Sequence, residues 1–202
     1  MNRAVAAIFA ALAIGSPAMA QVASLDEEEG SVLAVAIQPR LNGREGWLLI
    51  YGETASFRCD SGQKSYVQFA DGCSGMRTAQ DSIEKVLLRL RSDFPKMSDE
   101  VLAEFRSRAD RASRVGGPLP LATKQVIWRS EVADPPPEMG SPTLAITVSR
   151  VGFNKAHTQA LAYVGSTSWS GAERAYGEYI FLSKADAKWL VVGTSRVWDL
   201  GK

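Results

Sequence analysis

The sequence predicts an α+β domain in which N-terminal helices pack on a C-terminal antiparallel meander. Three observations predict it. Ile83, Val86, Leu87, Leu90 and Phe94, and then Val101, Leu102, Phe105, Ala109 and Ala112, recur at helical spacing. From Lys124 onward the apolar pattern changes to that of strands. Residues 154–157 and 184–188 are short and polar, the length of hairpin connections. Helices first and strands afterwards is the order of an α+β fold with helices packed on one face of a sheet.

Taken from the start, Met1-Asn2-Arg3 gives a positive end, Ala4 to Gly15 is an apolar run, and Ser16-Pro17-Ala18-Met19-Ala20 ends in small residues. That is the layout of a secretory leader over residues 1–20, too short in its apolar part to span a bilayer. No cysteine follows it to anchor a lipid. The expectation is an exported protein, periplasmic or secreted, with a single domain over 21–202. Its 182 residues are enough for a sizeable core. Of 23 basic residues Arg3 leaves with the leader, so 22 face the 22 acidic ones. This balance gives no electrostatic reason to expect nucleic acid or anionic lipid as a partner.

Ser24 with Glu27 three residues on reads as a capping box, and Asp26 to Glu29 sit at the positive end of the helix that follows. These acids lack the alternating spacing of a calcium loop. The helix is expected to reach Gln38, with Pro39 and Asn42-Gly43 as its stop. Trp47 to Tyr51 is a strand. Residues 54–77 read as a loop holding Cys59 and Cys73, with a short strand from Tyr66 to Phe69. Export and an even count favour a disulfide over a catalytic thiol or a metal site, worth about 3 kcal/mol for a loop of this length.

Ser98 caps the second of the paired helices, and Gly116-Gly117-Pro118 breaks it. Val126 to Val132 is a strand, followed by an extended Asp134-Pro135-Pro136-Pro137. Leu144 to Phe153, Thr158 to Gly165, Ala175 to Ser183 and Trp189 to Trp198 complete the sheet. Leu144, Ile146 and Val148 share a face while Val151 and Phe153 are out of phase, which predicts a bulge near Ser149-Arg150.

Ser149-Arg150-Val151-Gly152-Phe153-Asn154, then Thr158-Gln159-Ala160-Leu161-Ala162-Tyr163-Val164, Lys188-Trp189 and Trp198, resemble the C-terminal signature of a family of uncharacterised exported bacterial proteins. The specific part covers 147–198, and the resemblance implies export and a coherent fold but no activity. Where that family places glycine in two turns, this chain has His157 and Ala187, at positions where a hairpin favours φ > 0, so both turns are expected to be built differently or slightly strained. Ser166 to Gly171 stands where relatives often carry cysteines. A cone-like form of the nuclear-transport-factor type, which also pairs helices with a curved sheet, is an analogy of fold and carries no function.

Little in the chain points to catalysis. One histidine, His157, and two cysteines do not make a usual zinc site, so neither metal nor cofactor is expected, and His157 reads as a turn residue. Ser61-Gly62-Gln63-Lys64 fits Ser-x-x-Lys without its companion elements, and Gly165 to Gly171 is serine-rich without the nucleophile elbow. Glu131, Asp134, Glu138, Glu173 and Glu178 supply carboxylates for hydrolysis, but no pair can be placed across a cleft. The arginines 89, 91, 106, 108, 111 and 114 alternate with acids and read as a solvated face.

Aromatic and polar density on the C-terminal sheet is the more informative feature. Arg150, Gln159, Tyr163, Trp169, Glu178 and Arg196 are the candidate binding residues, on an open sheet face, although solvated outer strand positions explain the polar ones too. The expected function is therefore non-catalytic binding of a ligand, an envelope component or a partner protein. A small carboxylate-dependent hydrolase and an inhibitor or immunity-type protein are the alternatives.

Overall fold

The computed structural model describes residues 23–41, 47–57, 82–121, 126–129, 144–168 and 175–199. The leader, Cys59, Cys73 and Trp169 lie outside them, as do the carboxylates at 131, 134, 138 and 173.

The described chain is α+β: three helices pack on a seven-stranded mixed sheet that is not closed. In order, the elements are β1 (Ala23–Ser24), α1 (Glu27–Leu41), β2 (Leu48–Tyr51), α2 (Ile83–Asp93), α3 (Asp99–Arg108), β3 (Val115–Gly116), β4 (Val126–Arg129), β5 (Leu144–Val148), β6 (Gly152–Phe153), β7 (Gln159–Ser168), β8 (Tyr176–Ala185) and β9 (Lys188–Asp199). The sheet order is β4-β2-β5-β7-β8-β9, with β6 also on β7, and β1 and β3 form a separate two-stranded ladder.

Two features correct the expected architecture. The sheet is mixed, because β2 enters it between β4 and β5 and runs parallel to both. All four residues of β2 are buried, and a continuous apolar run suits a strand enclosed on both faces. Parallel neighbours need a long crossover, and the chain between β2 and β4 contains α2 and α3. The helices also cover both faces. Leu48, Ile50, Leu144, Ile146, Val148, Ala162, Val164, Ile180 and Leu182 pack with α1 residues Val32, Leu33, Ala36, Ile37 and Leu41. The alternate residues Leu161, Tyr163, Tyr179 and Phe181 pack with Val86, Leu90, Val101, Leu102 and Phe105 from α2 and α3. Each fully buried Val, Leu, Ile or Phe among them contributes about 1.5–3 kcal/mol. Period two in the strands thus serves two cores, one on each side of the sheet.

Helix α1 begins later than its capping box suggests. Asp26 accepts the Glu29 N–H at 2.6 Å and acts as the cap, while Ser24 belongs to β1. The helix also runs through Pro39, which lies in its last turn and on its exposed side. The Arg40 guanidinium folds back along the helix and donates to the Ala36 carbonyl at 2.6 Å.

The bulge is present. Val148 pairs with Val164 and Gly152 with Leu161, so three residues of one strand face two of the other. Ser149 N–H donates to the Tyr163 carbonyl, and the Ser149 hydroxyl accepts the Tyr163 N–H. The extra residue returns Val151 and Phe153 to the same core as Val148.

Both turns stand at positive φ, His157 at 52° and Asp186-Ala187 at 48° and 61°. The second is the two-residue geometry that matches strand twist. An alanine there has its Cβ crowded against the backbone at a cost of roughly 1–2 kcal/mol, partly offset by the entropy a glycine would lose. Ala187→Gly is therefore expected to stabilise the protein by about 1 kcal/mol, seen as a higher urea midpoint at unchanged slope; an unchanged or lower midpoint contradicts it.

Candidate functional site

The first turn of α1 meets the end of the sheet through two consecutive acids, and their surroundings differ. Glu29 is fully buried. Its carboxylate accepts Arg150 Nε at 2.8 Å and Nη2 at 2.9 Å, Arg108 Nη2 at 3.2 Å and the Val151 N–H at 2.9 Å. The bulge makes this possible, since it turns Arg150 toward α1 and frees the Val151 amide from the ladder. Four donors on one carboxylate leave it bound within the fold and closed to outside ligands.

Glu28 lies at the edge of a groove. It accepts Lys184 Nζ and contacts His157 Nδ1, both at 2.6 Å. Partial burial raises its pKa, but the hydrogen bonds and charges of Lys184 and His157 outweigh that and hold the carboxyl below its ordinary value. His157 stacks on Phe153 at 4.9 Å, and Lys184 stands over the Trp189 ring at 5.1 Å.

The groove itself measures ≈ 740 Å³ and is open to one side. Helix α1 lines it with Glu27, Glu28, Ser31, Ala34, Val35 and Gln38, and the β8–β9 hairpin lines it with Lys184, Ala187, Lys188 and Trp189; Pro120 adds to the lining. Its size is within the range of small-ligand sites.

Near the other end of α1, Arg40 and Glu178 meet at 2.6 Å. Arg196 donates to Glu178 at 2.8 Å and to Asp199 at 2.6 Å. Tyr176 has the Arg40 guanidinium 5.5 Å and that of Arg196 4.6 Å from its ring centre. Burial lowers the pKa of Arg40, which Tyr176 and Glu178 partly offset. It stays charged all the same. A small cavity of ≈ 110 Å³ adjoins this cluster.

The candidate residues from the sequence are thus distributed. Glu178 and Arg196 come together, on the α1 side. Arg150 serves Glu29. Gln159 accepts the Ser98 N–H at 2.9 Å and donates to the Lys96 carbonyl at 3.0 Å, so it holds the start of α3. Tyr163 is buried in the opposite core, where its hydroxyl accepts Trp198 Nε1 at 2.9 Å and burial pushes its pKa up, against the opposing pull of that bond. Arg108, read as part of a solvated face, turns inward to Glu29.

Sequence reasoning missed the groove. The available signal was α1 itself, where Val32, Leu33, Ala34, Val35, Ala36 and Ile37 leave almost no polar flank. A helix apolar nearly all round has more than one face to cover.

Among the described residues no helix is long and apolar enough to cross a membrane, and no group of three or more His, Cys, Asp or Glu is placed to hold a metal ion. Comparison with protein-family models, with curated proteins and with solved structures gave no match.

Proposed function

We propose that this is an exported binding protein without catalytic activity, and that its ligand or envelope component seats in the groove between α1 and the β8–β9 hairpin. The groove is the observation that carries this reading. It supersedes the open sheet face as the place of contact, since α1 lies on one face of the sheet and α2 and α3 on the other. The cone-like curvature expected from the sequence belongs to the same proposal, because a sheet curled around α1 would deepen the groove.

The state of Glu28 supports binding over hydrolysis. A carboxylate-dependent hydrolase needs one carboxyl kept protonated near neutral pH, and Lys184 and His157 draw Glu28 the other way. Glu178, the one described residue among the five carboxylates considered for hydrolysis, is held between two arginines.

The test is a thermal-shift screen of envelope lipid and small-molecule fractions against the wild type and Ser31→Trp. Ser31 lies on the groove and is only half-buried, so the substitution fills the space at little cost to the fold, about 0.5 kcal/mol. A ligand at a hundred times its Kd stabilises by about 2.7 kcal/mol. The expected result is a shift in the wild type that Ser31→Trp abolishes. No shift with any fraction, or a shift the variant keeps, overturns the reading.

A further inference from the structure

The charged residues that line the groove are Glu27, Glu28, Lys184 and Lys188, and the direction of α1 against β8 shows where along it they fall. Arg40 near the end of α1 meets Glu178, and Glu28 in its first turn meets Lys184. Helix α1 therefore runs antiparallel to β8, and the β8–β9 hairpin tip lies at the helix's N-terminal end. Lys188 pairs with Ala185, one step nearer the tip than the Lys184–Trp189 pair. Glu27, Glu28, Lys184 and Lys188 are thus gathered at that one end. Lys184 and Glu28 neutralise each other. Glu27 and Lys188 are exposed and have no ion pair among the described residues.

Toward the other end the lining changes. Ser31, Ala34, Val35 and Gln38 carry no charge. The seven residue steps from Ser31 to Gln38 make about 10 Å of helix at 1.5 Å each. Among the described residues, one end of the groove thus offers one anion and one cation outside any ion pair, and the remainder offers an uncharged wall.

We propose that the groove takes a single-chain amphiphile with a zwitterionic head, its chain along Ala34 and Val35 and its head between Glu27 and Lys188. A head of one sign would meet one of these two groups as a like charge. A head carrying both signs satisfies each, with its anionic part at Lys188 and near the positive end of α1, and its cationic part at Glu27. The proposal rests on the reading of the groove as the binding site.

The experiment compares three molecules with one dodecyl chain, each below its micelle threshold: dodecylphosphocholine, dodecyl sulfate and dodecyltrimethylammonium. Phosphocholine without a chain is the fourth. Binding is followed by tryptophan fluorescence and by calorimetry on the whole protein. Dodecylphosphocholine is expected to bind at least tenfold more tightly than either singly charged amphiphile, and chainless phosphocholine to give no detectable binding. Lys188→Glu is expected to weaken dodecylphosphocholine at least tenfold and to favour dodecyltrimethylammonium. Because Lys188 is exposed and has no ion pair among the described residues, the variant's circular dichroism and melting should stay as in the wild type. Equal affinity for all three heads, binding of phosphocholine alone, or a preference that Lys188→Glu leaves unchanged would overturn the proposal. If no amphiphile binds while an envelope ligand still does so in a manner blocked by Ser31→Trp, the inference fails and the groove reading stands. If Ser31→Trp blocks nothing, the groove reading fails as well.

Discussion

Glu29→Ala is expected to destabilise the protein by about 3 kcal/mol or more, measured as the free energy of urea unfolding. Removing one partner of a buried ion pair costs about 3–5 kcal/mol, since the opposite charge is left without compensation. Here the substitution strips a carboxylate from Arg150, Arg108 and the Val151 amide together. The arginine side chains keep 18% and 23% of their surface exposed, so water reaches them and the lower end of that range applies. The buried Val151 N–H has no such relief, and an orphaned buried donor costs about 1–3 kcal/mol. Replacing the carboxylate and both cations by apolar residues of similar volume should therefore recover part of the loss but never all of it. Arg150→Met alone should cost less than Glu29→Ala, because Arg108 and the amide still hold the carboxylate. A loss under 1 kcal/mol for Glu29→Ala would mean that the carboxylate is not enclosed as described.

This network also shows where the sequence stopped being informative. The bulge at Ser149-Arg150 was legible, because a break in period two within one strand has few other causes. The short polar connections made the hairpins legible, whereas the positive φ at His157 and Ala187 was suggested only by the resemblance, through the glycines its family places there. The α2 and α3 helices were legible from spacing, and Ser82 caps the first of them, accepting the Lys85 N–H at 3.3 Å. Glu29, by contrast, read as one of four acids at a helix start. Its partners stand 79 and 121 residues away, and no local pattern encodes a contact that the fold alone creates. The place of β2 was hidden for a similar reason. A four-residue apolar run states that it is buried and says nothing of its neighbours. The expectation of helices on one face failed because alternate residues of β7 and β8 are apolar on both sides, as Tyr163 beside Val164 and Phe181 beside Leu182 show. The groove was hidden because its two walls, α1 and the β8–β9 hairpin, are far apart in the chain.

The second large effect is expected at Gly152, where α3 crosses β6. A Cβ there would lie 2.4 Å from the Phe105 amide nitrogen and 2.5 Å from its Cα and Cβ. Two of those atoms are backbone in the body of a helix, so no rotamer change relieves the clash, and α3 must move as a unit. Its movement would disturb Phe105, which is fully buried and meets Phe57 and Tyr179 edge to face at 5.7 and 5.9 Å. It would also strain two further ties of α3, the Glu104 carboxylate that accepts the Phe153 N–H and the Arg108 bond to Glu29. Overpacking of a filled core costs about 1–3 kcal/mol, and Gly152→Ala is expected at the top of that range, about 3 kcal/mol. Gly193→Ala is the control, since its nearest contact is the Phe94 ring edge at 3.1 Å, a side chain that can give way. Phe105→Leu in the Gly152→Ala background should restore nothing, because the atoms in conflict are common to both residues. Rescue by that second change, or equal costs for the two glycine substitutions, would show that side chains rather than the α3 backbone set the contact.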